Sequence, residues 1–547
     1  MHEHGRLLIA VSGGPSLPID NGLIPGALFH RYHPGLVETL APTEQAAIIE
    51  TGGAHLIDRY WGAYLAFLHD PRDGTIHVMR APMGECPCFC ARTDGAWLFA
   101  SDLALLTHAG ASMAIDWNAL ARELIWPCLR GGETCLIHVR SLMGGHRISL
   151  GADRIEAQLW SPWDHVASAH DRAEAEHIAQ VKRAVENCVA ARASQFGSLI
   201  LLLSGGLDSS IVATCLARHD PSPNLLTLFT RDAVGDERDY ARAVAALIGL
   251  PLLETLRDVA NVDPYVSKTA LPYPGTRLFE QATRAACAQF AGQSGPQAIF
   301  TGGGGDNVFC ALQSAAPVAD RILSGHGAVG VFKTVRDVSR VAPAAMPSVL
   351  VAALKRVLPW RRASPLRPNL AFMSARAFED AGHRPPPHPW LIPPPRFLPG
   401  KSAHITMLTL AQGFAQTQDP LAFPAIVHPL LSQPIVEACL AVPSWLWVSG
   451  GMNRAVARQA FACALPEQIV RRRTKGSPQG FVGELFEHHQ TRLKAMILDG
   501  QLAQRGFLDT KAVKRAFDSA AGRMAPDHVS DLMRIADVEA WLLARKT

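Results

Sequence analysis

The stretch Ser198-Leu199-Ile200-Leu201-Leu202-Leu203-Ser204-Gly205-Gly206-Leu207-Asp208-Ser209-Ser210 decides how this chain is read. A run of apolar residues ends in a Ser-Gly-Gly turn, and a helical pattern then resumes through Ile211, Val212 and Cys215. Strand, glycine turn and helix N-terminus together form an anion site: the glycines let backbone approach a phosphate, and free N–H groups at the positive helix end point at it. Asp208 would repel a phosphate by itself and makes sense as a ligand for a Mg²⁺ shared with one.

Working outward, Ser198 onward alternates strands with helices: a helix over 209–218, strand LLTLF, a helix over 237–248, strand Pro251–Leu253, a helix near Glu280–Phe290 and strand Gln297–Thr301. That order predicts a doubly wound, mostly parallel sheet, with ligands at the carboxyl ends of its strands. At one such end stands Thr301-Gly302-Gly303-Gly304-Gly305-Asp306-Asn307. Four glycines clear side chains from the sheet edge, and Asp306 supplies a second carboxylate for the metal opposite Asp208. Ahead of the sheet, Ile178, Val181, Val185, Cys188 and Val189 share one helical face. The first 165 residues read instead as alternating strands and turns: Tyr60–Asp70, Thr75–Cys90, Ala96–Leu106, with turns at 70–74 and 93–95 and a helical segment Trp117–Pro127. Two domains follow, 1–165 and 166–547, as a chain of 547 residues suggests.

SGGLDSS lacks the Lys-Ser/Thr of a Walker loop and resembles the pyrophosphate loop (PP-loop) of ATP pyrophosphatases, which cleave ATP between the α and β phosphates. Upstream, Arg80, Gly84, Pro87, Phe99-Ala100-Ser101-Asp102 and Gly145-His146 fall in the order seen in the glutaminase domain of asparagine synthetases. That resemblance implies an N-terminal nucleophile-type αββα domain followed by a PP-loop, adenine-nucleotide α-hydrolase-like domain. It departs at the nucleophile, since the family places Cys after the initiator Met and this sequence has His2, with no cysteine before Cys86. The first domain is therefore expected to be a degenerate glutaminase. The synthetase segment departs too: the family's Glu falls at Gly303, where β-lactam synthetases place Tyr, and its charged Glu, Arg and Asp fall at Ala425, Val427 and Ser432.

GGGGDNVFCALQSAAPVADR and HPLLSQPIVE (428–437) resemble the lasso peptide cyclases, macrolactam synthetases of ribosomal peptide clusters. The resemblance implies an ATP- and Mg²⁺-dependent ligase that adenylates an Asp or Glu side chain of a precursor peptide and closes it onto the N-terminal amine. It implies Asp208 and Asp306 for Mg²⁺, Ser204, Gly205, Gly206, Ser209 and Ser210 around pyrophosphate, Leu202, Thr301 and Gly302 beside adenosine, and Lys475 at the reacting centre. Partners implied by family are the precursor peptide, a leader peptidase and a leader-recognition protein. An asparagine-synthetase-type amidotransferase, a β-lactam-synthetase-like ligase and an inactive peptide-binding scaffold stay open as alternatives.

Composition bounds the rest. A net charge of +4 is too mild to indicate nucleic acid. No apolar run is long enough for a membrane span, and no signal peptide opens the chain, so a cytoplasmic protein is expected. Cys86, Cys88 and Cys90 alternate, which raises zinc, but no second Cys/His pair follows, and buried reduced thiols are expected. Basic amphipathic helices (331–340, 350–358) lead to Trp360-Arg361-Arg362. A proline-rich arm, Pro385–Pro399, is expected to run extended, its Trp390, Arg396 and Phe397 lining a peptide groove or simply crossing the surface. The acidic start of the helix after the second strand, Asp236-Glu237, reads as dipole complementation.

Overall fold

The structure, a computed structural model, describes the 547-residue chain except residues 1, 5–6, 12–13, 32–33, 94, 167–171, 233–234, 268–269, 276–277, 290–294, 359–365, 474–475, 477–478, 520–524 and 546–547. Lys475 and Trp360-Arg361-Arg362 lie outside the described residues.

The N-terminal half packs two antiparallel sheets face to face. One has six strands in the order Arg154–Gln158, His146–Leu150, Ile76–Arg80, Tyr60–His69, Gly22–His30, Ser16–Ile19; the other has three, Ala96–Ala100, Phe89–Thr93 and Arg140–Ser141. Leu23, Leu65, Phe67, Val78, Cys88, Cys90 and Ile148 fill the space between them. Helices Pro42–Glu50 and Ala54–Arg59 pack on the outer face of the larger sheet, and Leu103–His108 and Trp117–Ile125 on that of the smaller. The layer order is helix, sheet, sheet, helix. Of the three alternating cysteines only Cys90 lies in a strand, yet Cys88 and Cys90 are buried in the shared core with Cys86 against it. All three are free thiols whose ionisation burial makes harder.

The helix Glu174–Ala193 opens the second half and supports a five-stranded parallel sheet. In space the strands run Leu252–Leu256, Asn224–Phe229, Leu199–Leu202, Ala298–Phe300, Ala425–Val427. The first strand in sequence is central and the order reverses between it and Ala298–Phe300, so the crevice where ligands settle in such sheets opens between the SGG and GGGG turns. The fifth strand escapes the sequence pattern, which read helix from Lys401 onward; three residues, Ala425-Ile426-Val427, are too short a run to announce themselves.

The aromatic residues of the proline-rich arm turn inward, whereas Pro386, Pro387, His388, Pro389 and Ile392 form one wall of a cavity of about 300 Å³ whose lining does not include Trp390, Arg396 or Phe397. Trp390 is buried against Trp160, and its carbonyl accepts a hydrogen bond from Trp163 Nε1 (2.8 Å), while Phe397 packs edge-on to Trp163. It crosses the N-terminal half as a strap and enters the helix Pro399–Ala415.

On that helix His404 is fully buried, its Nε2 2.9 Å from the Val308 carbonyl, and burial draws its pKa down to about 3, as it does for His388. Between the ordinary imidazole range and pH 3 the unfolded chain binds a proton at each that the folded chain refuses. Stability therefore falls as pH falls through that window, by about 1.4 kcal/mol per pH unit for each group. Urea unfolding at pH 7 and pH 4.5 is expected to show this fall, and His404→Asn to make it shallower; an unchanged slope in the variant would contradict the assignment.

Candidate active site

The strand Leu199–Leu202 hands the chain to the helix Leu207–Leu216 through Ser204-Gly205-Gly206. Gly205 has φ +66°, and a Cβ there would stand 2.5 Å from Tyr240 Cβ, so only glycine makes this turn. Ser204 and Ser209 face each other across it, Oγ to Oγ 3.1 Å, with the Ser204 N–H donating to Ser209 Oγ at 3.3 Å. The Ser210 hydroxyl donates to the Gly206 carbonyl at 2.7 Å, within the first turn of the helix. The second glycine turn presses onto the first: a Cβ on Gly302 would lie 2.5 Å from Ser209 N, and one on Gly305 2.5 Å from Asp208 Cβ.

Between the turns is a cavity of about 390 Å³. Leu202, Ser204, Gly206, Asp208, Ser209, Thr301 and Gly302 line it, with Gly303, Glu280, Thr283, Phe414, Gln418, Ile426 and His428. Gly205, Ser210 and Asp306 flank it without lining it.

Asp208 is buried and Asp306 is half exposed. Both carboxylates converge on one guanidinium nitrogen: Arg454 Nη1 donates to Asp208 Oδ2 (2.8 Å) and Oδ1 (3.1 Å) and to Asp306 Oδ1 (2.5 Å). Arg454 itself is buried and sits in the left-handed region at φ +54°. The two carboxylates are thus turned toward a common cation, an arrangement that a Mg²⁺ ion could also use. Among the described residues no third Asp, Glu, His or Cys joins them to form a metal cluster. Mg²⁺ is commonly held by one or two carboxylates with substrate phosphates completing its shell, so two suffice. Sequence reasoning missed Arg454; an arginine sixteen or so residues before the RRRTK run gives no signal of its own.

The segment around Lys475 is tied to this loop through a group that the sequence left idle. Glu237 Oε1 accepts from Arg472 Nη2 (2.5 Å) and from the Gly476 N–H (2.9 Å), and Arg472 also donates to the Gly205 carbonyl (3.1 Å) while lying 3.8 Å over the Tyr240 ring. Glu237 therefore does more than complement a helix dipole: it holds both flanks of 474–475 beside the SGG turn.

From the N-terminal half, Glu85 reaches in. It pairs with Arg192 (2.5 Å) and accepts the His428 backbone N–H (2.8 Å). Thr301 Oγ1 is 2.7 Å from His428 Nδ1 and accepts the Gly303 N–H at 2.9 Å. Burial lowers the His428 pKa, opposed by Glu85.

Comparison with known proteins matches residues 180–383 and 426–543 to the asparagine synthase family and 41–161 to the glutamine amidotransferase domain. Asparagine synthetase [glutamine-hydrolyzing] 3 of Bacillus subtilis (strain 168) is 22% identical over 35% of this chain and 31% of its own length. A putative asparagine synthetase [glutamine-hydrolyzing] of Mycobacterium tuberculosis (strain ATCC 25618 / H37Rv) is 27% identical over 40% of this chain and 34% of its own. The match thus spans about a third of these relatives. Among solved structures, the glutamine phosphoribosylpyrophosphate amidotransferase of B. subtilis overlaps 48% of this chain and 68% of that one at 9% identity, with a TM-score of 0.17 that carries no argument. With its synthetase match covering more than half of the sequence, and with an amidotransferase-type domain ahead of it, the chain belongs to the asparagine synthase family, whose members are ATP-dependent carbon–nitrogen ligases.

Proposed function

We propose that this chain is an ATP-dependent macrolactam synthetase of the lasso cyclase type. A carboxylate oxygen of a peptide Asp or Glu attacks the α-phosphorus of ATP, the bond to the β-phosphate bridging oxygen breaks, and pyrophosphate leaves. The N-terminal amine of the same peptide then attacks the acyl carbon, the carbon–oxygen bond to AMP breaks, and the ring closes. The SGG backbone, Ser204 and Ser209 would cradle pyrophosphate, and Leu202, Thr301 and Gly302 would border adenosine. Mg²⁺ on Asp208 and Asp306 would neutralise the departing pyrophosphate. Lys475, on the strength of the family resemblance, would meet charge developing at the acyl oxygen. Holding both ends of one peptide makes closure effectively intramolecular.

The observation that carries this reading is the cavity wall. Among the described residues no Lys or Arg lines it, and Ala425, Val427 and Ser432 leave the neighbouring strand and turn uncharged. Free aspartate would bring an α-carboxylate with no cation to receive it; a peptide side chain brings none. Domain 1–165 supports the same reading, since its cysteines at 86, 88, 90, 128 and 135 all have raised pKa values and none is a ready thiolate. The precursor peptide, a leader peptidase and a leader-recognition protein are the partners this reading brings. Among the described residues no single helix is long and apolar enough to cross a membrane.

ATP–pyrophosphate exchange with product mass spectrometry tests it. One sample receives aspartate plus ammonia, the other a set of synthetic peptides with a free N-terminal amine and one internal Asp or Glu. Peptide-dependent exchange, AMP formation and loss of one water are expected. Asparagine formation would return the chain to the amidation branch, and silence in both would favour a binding scaffold.

A further inference from the structure

We propose that the helices Ala328–Val341 and Met346–Val357 form a docking surface for an anionic lipid bilayer, on which the chain rests without crossing it. This inference is independent of the ligase reading, whose chemistry uses neither helix. The inner faces are ordinary core: Val335 and Val338 of the first helix and Val349 and Ala353 of the second pack with Val318, Ala319 and Val448. The outer faces are not ordinary surface. On the first helix Val329 (86% exposed), Phe332 (62%), Lys333, Arg336 and Arg340 follow one another down one exposed side. On the second, Val351 (52%), Leu354 (49%) and Lys355 do the same, with Leu358 exposed just past its end. Single exposed apolar residues need no explanation, but these recur at helical spacing on the faces that carry the cations.

Charge identifies the occupant. The two helices hold Lys333, Arg336, Arg340, Lys355 and Arg356 and one acid, Asp337, which is buried. Their formal charge thus equals the +4 of the whole chain. Among the described residues the one acid contact of these five cations is Arg336 to Asp337, at 3.9 Å. Cations in a last turn complement the helix dipole, which accounts for Arg340, Lys355 and Arg356 but leaves the exposed apolar groups unexplained. Both features together describe a helix lying in a headgroup layer. Its apolar side chains enter the acyl boundary, and its cations lay their stems along it and reach lipid phosphates. Nucleic acid would match the cations and leave Val329, Phe332, Val351 and Leu354 in water. Spanning is ruled out by geometry: helices of 14 and 12 residues meet at 113°, each with one face in the protein core. A fluid bilayer conforms to such a corner, whereas a folded partner would need a matching relief.

Flotation of the full chain with vesicles tests this, using phosphatidylcholine alone and an equal mixture of phosphatidylcholine and phosphatidylglycerol. The chain is expected to float with the anionic vesicles, to stay behind with the neutral ones, and to be released as salt screens the attraction. Lys333→Gln/Lys355→Gln is expected to weaken partitioning by about tenfold, through two lost lipid attractions. Phe332→Ser/Leu354→Ser should weaken it by about as much, through lost insertion. All four side chains are exposed, so both variants are expected to melt with wild type. Failure of the wild-type chain to float with anionic vesicles would overturn the proposal, as would equal flotation with neutral ones or undiminished flotation of both variants. A lipid-free dimer that Phe332→Ser/Leu354→Ser dissociates in sedimentation would also overturn it, assigning the face to a second copy of this chain.

Discussion

Asp208→Ala is expected to reduce peptide-dependent ATP–pyrophosphate exchange by at least about 10²–10³, the range seen when one electrostatic stabiliser of a transition state is removed. The carboxylate supplies half of the two-acid point on which Arg454 converges, and it is the buried half. Without it the site offers one half-exposed carboxylate to a metal, beside a guanidinium that has lost two of its hydrogen bonds. Charge-assisted bonds of this kind contribute about 1.5–3 kcal/mol each, so the alanine variant is also expected to melt lower. Asp208→Asn disentangles the two effects, because its amide oxygen still accepts from Arg454 while the negative charge is gone. A folded asparagine variant that exchanges within tenfold of wild type would remove Asp208 from the metal site.

Glu437→Ala is expected to produce the largest stability loss. This carboxylate, on the helix Gln433–Ala441, accepts from Arg31, from Trp160 Nε1 (3.0 Å) and from Gln433 Nε2 (2.9 Å), and lies 3.4 Å from His165. Arg31, Trp160 and His165 belong to the N-terminal half, so the variant leaves a largely buried guanidinium and an indole N–H without their acceptor across the joint. Removing one member of a buried ion pair costs about 3–5 kcal/mol. Calorimetry should show a lower melting temperature and a transition that broadens or divides as the halves uncouple. Glu437→Gln, which keeps an acceptor for Trp160, should lose less. A melting curve unchanged by the alanine variant would show that the joint is held by its apolar contacts alone.

The central turn was legible because glycine at Gly205 and Gly302 is demanded by backbone approach, and such demands are written as glycine. The parallel sheet was legible for the same local reason, strand and helix periods alternating through 199–300, with boundaries displaced by a few residues. What escaped was long-range. Arg454 meets Asp208 across 246 positions, and Glu85 meets His428 across 343. A single arginine or glutamate has no periodicity, and only the folded chain pairs them. Glu237 was misjudged because an acidic residue at a helix start already has a sufficient local explanation. The fifth strand, three residues long, gave too little pattern to separate it from the helix before it, and with it went the position of His428. The amidotransferase-type half was readable from spaced motifs such as Arg80, Gly84 and Gly145-His146, whereas the burial of the arm's Trp390 against Trp160 was not.

Each half of the molecule lends the other one acid. Glu85 leaves the first half to be received by Arg192 and the His428 backbone, and Glu437 leaves the second to be received by Arg31, Trp160 and His165. A reciprocal loan of this sort restricts inheritance. A gene that exchanged its front half with a relative would carry away one donor and one set of receivers together, leaving Arg192 and Glu437 each facing a stranger. The two halves are thus bound to travel as a pair through recombination.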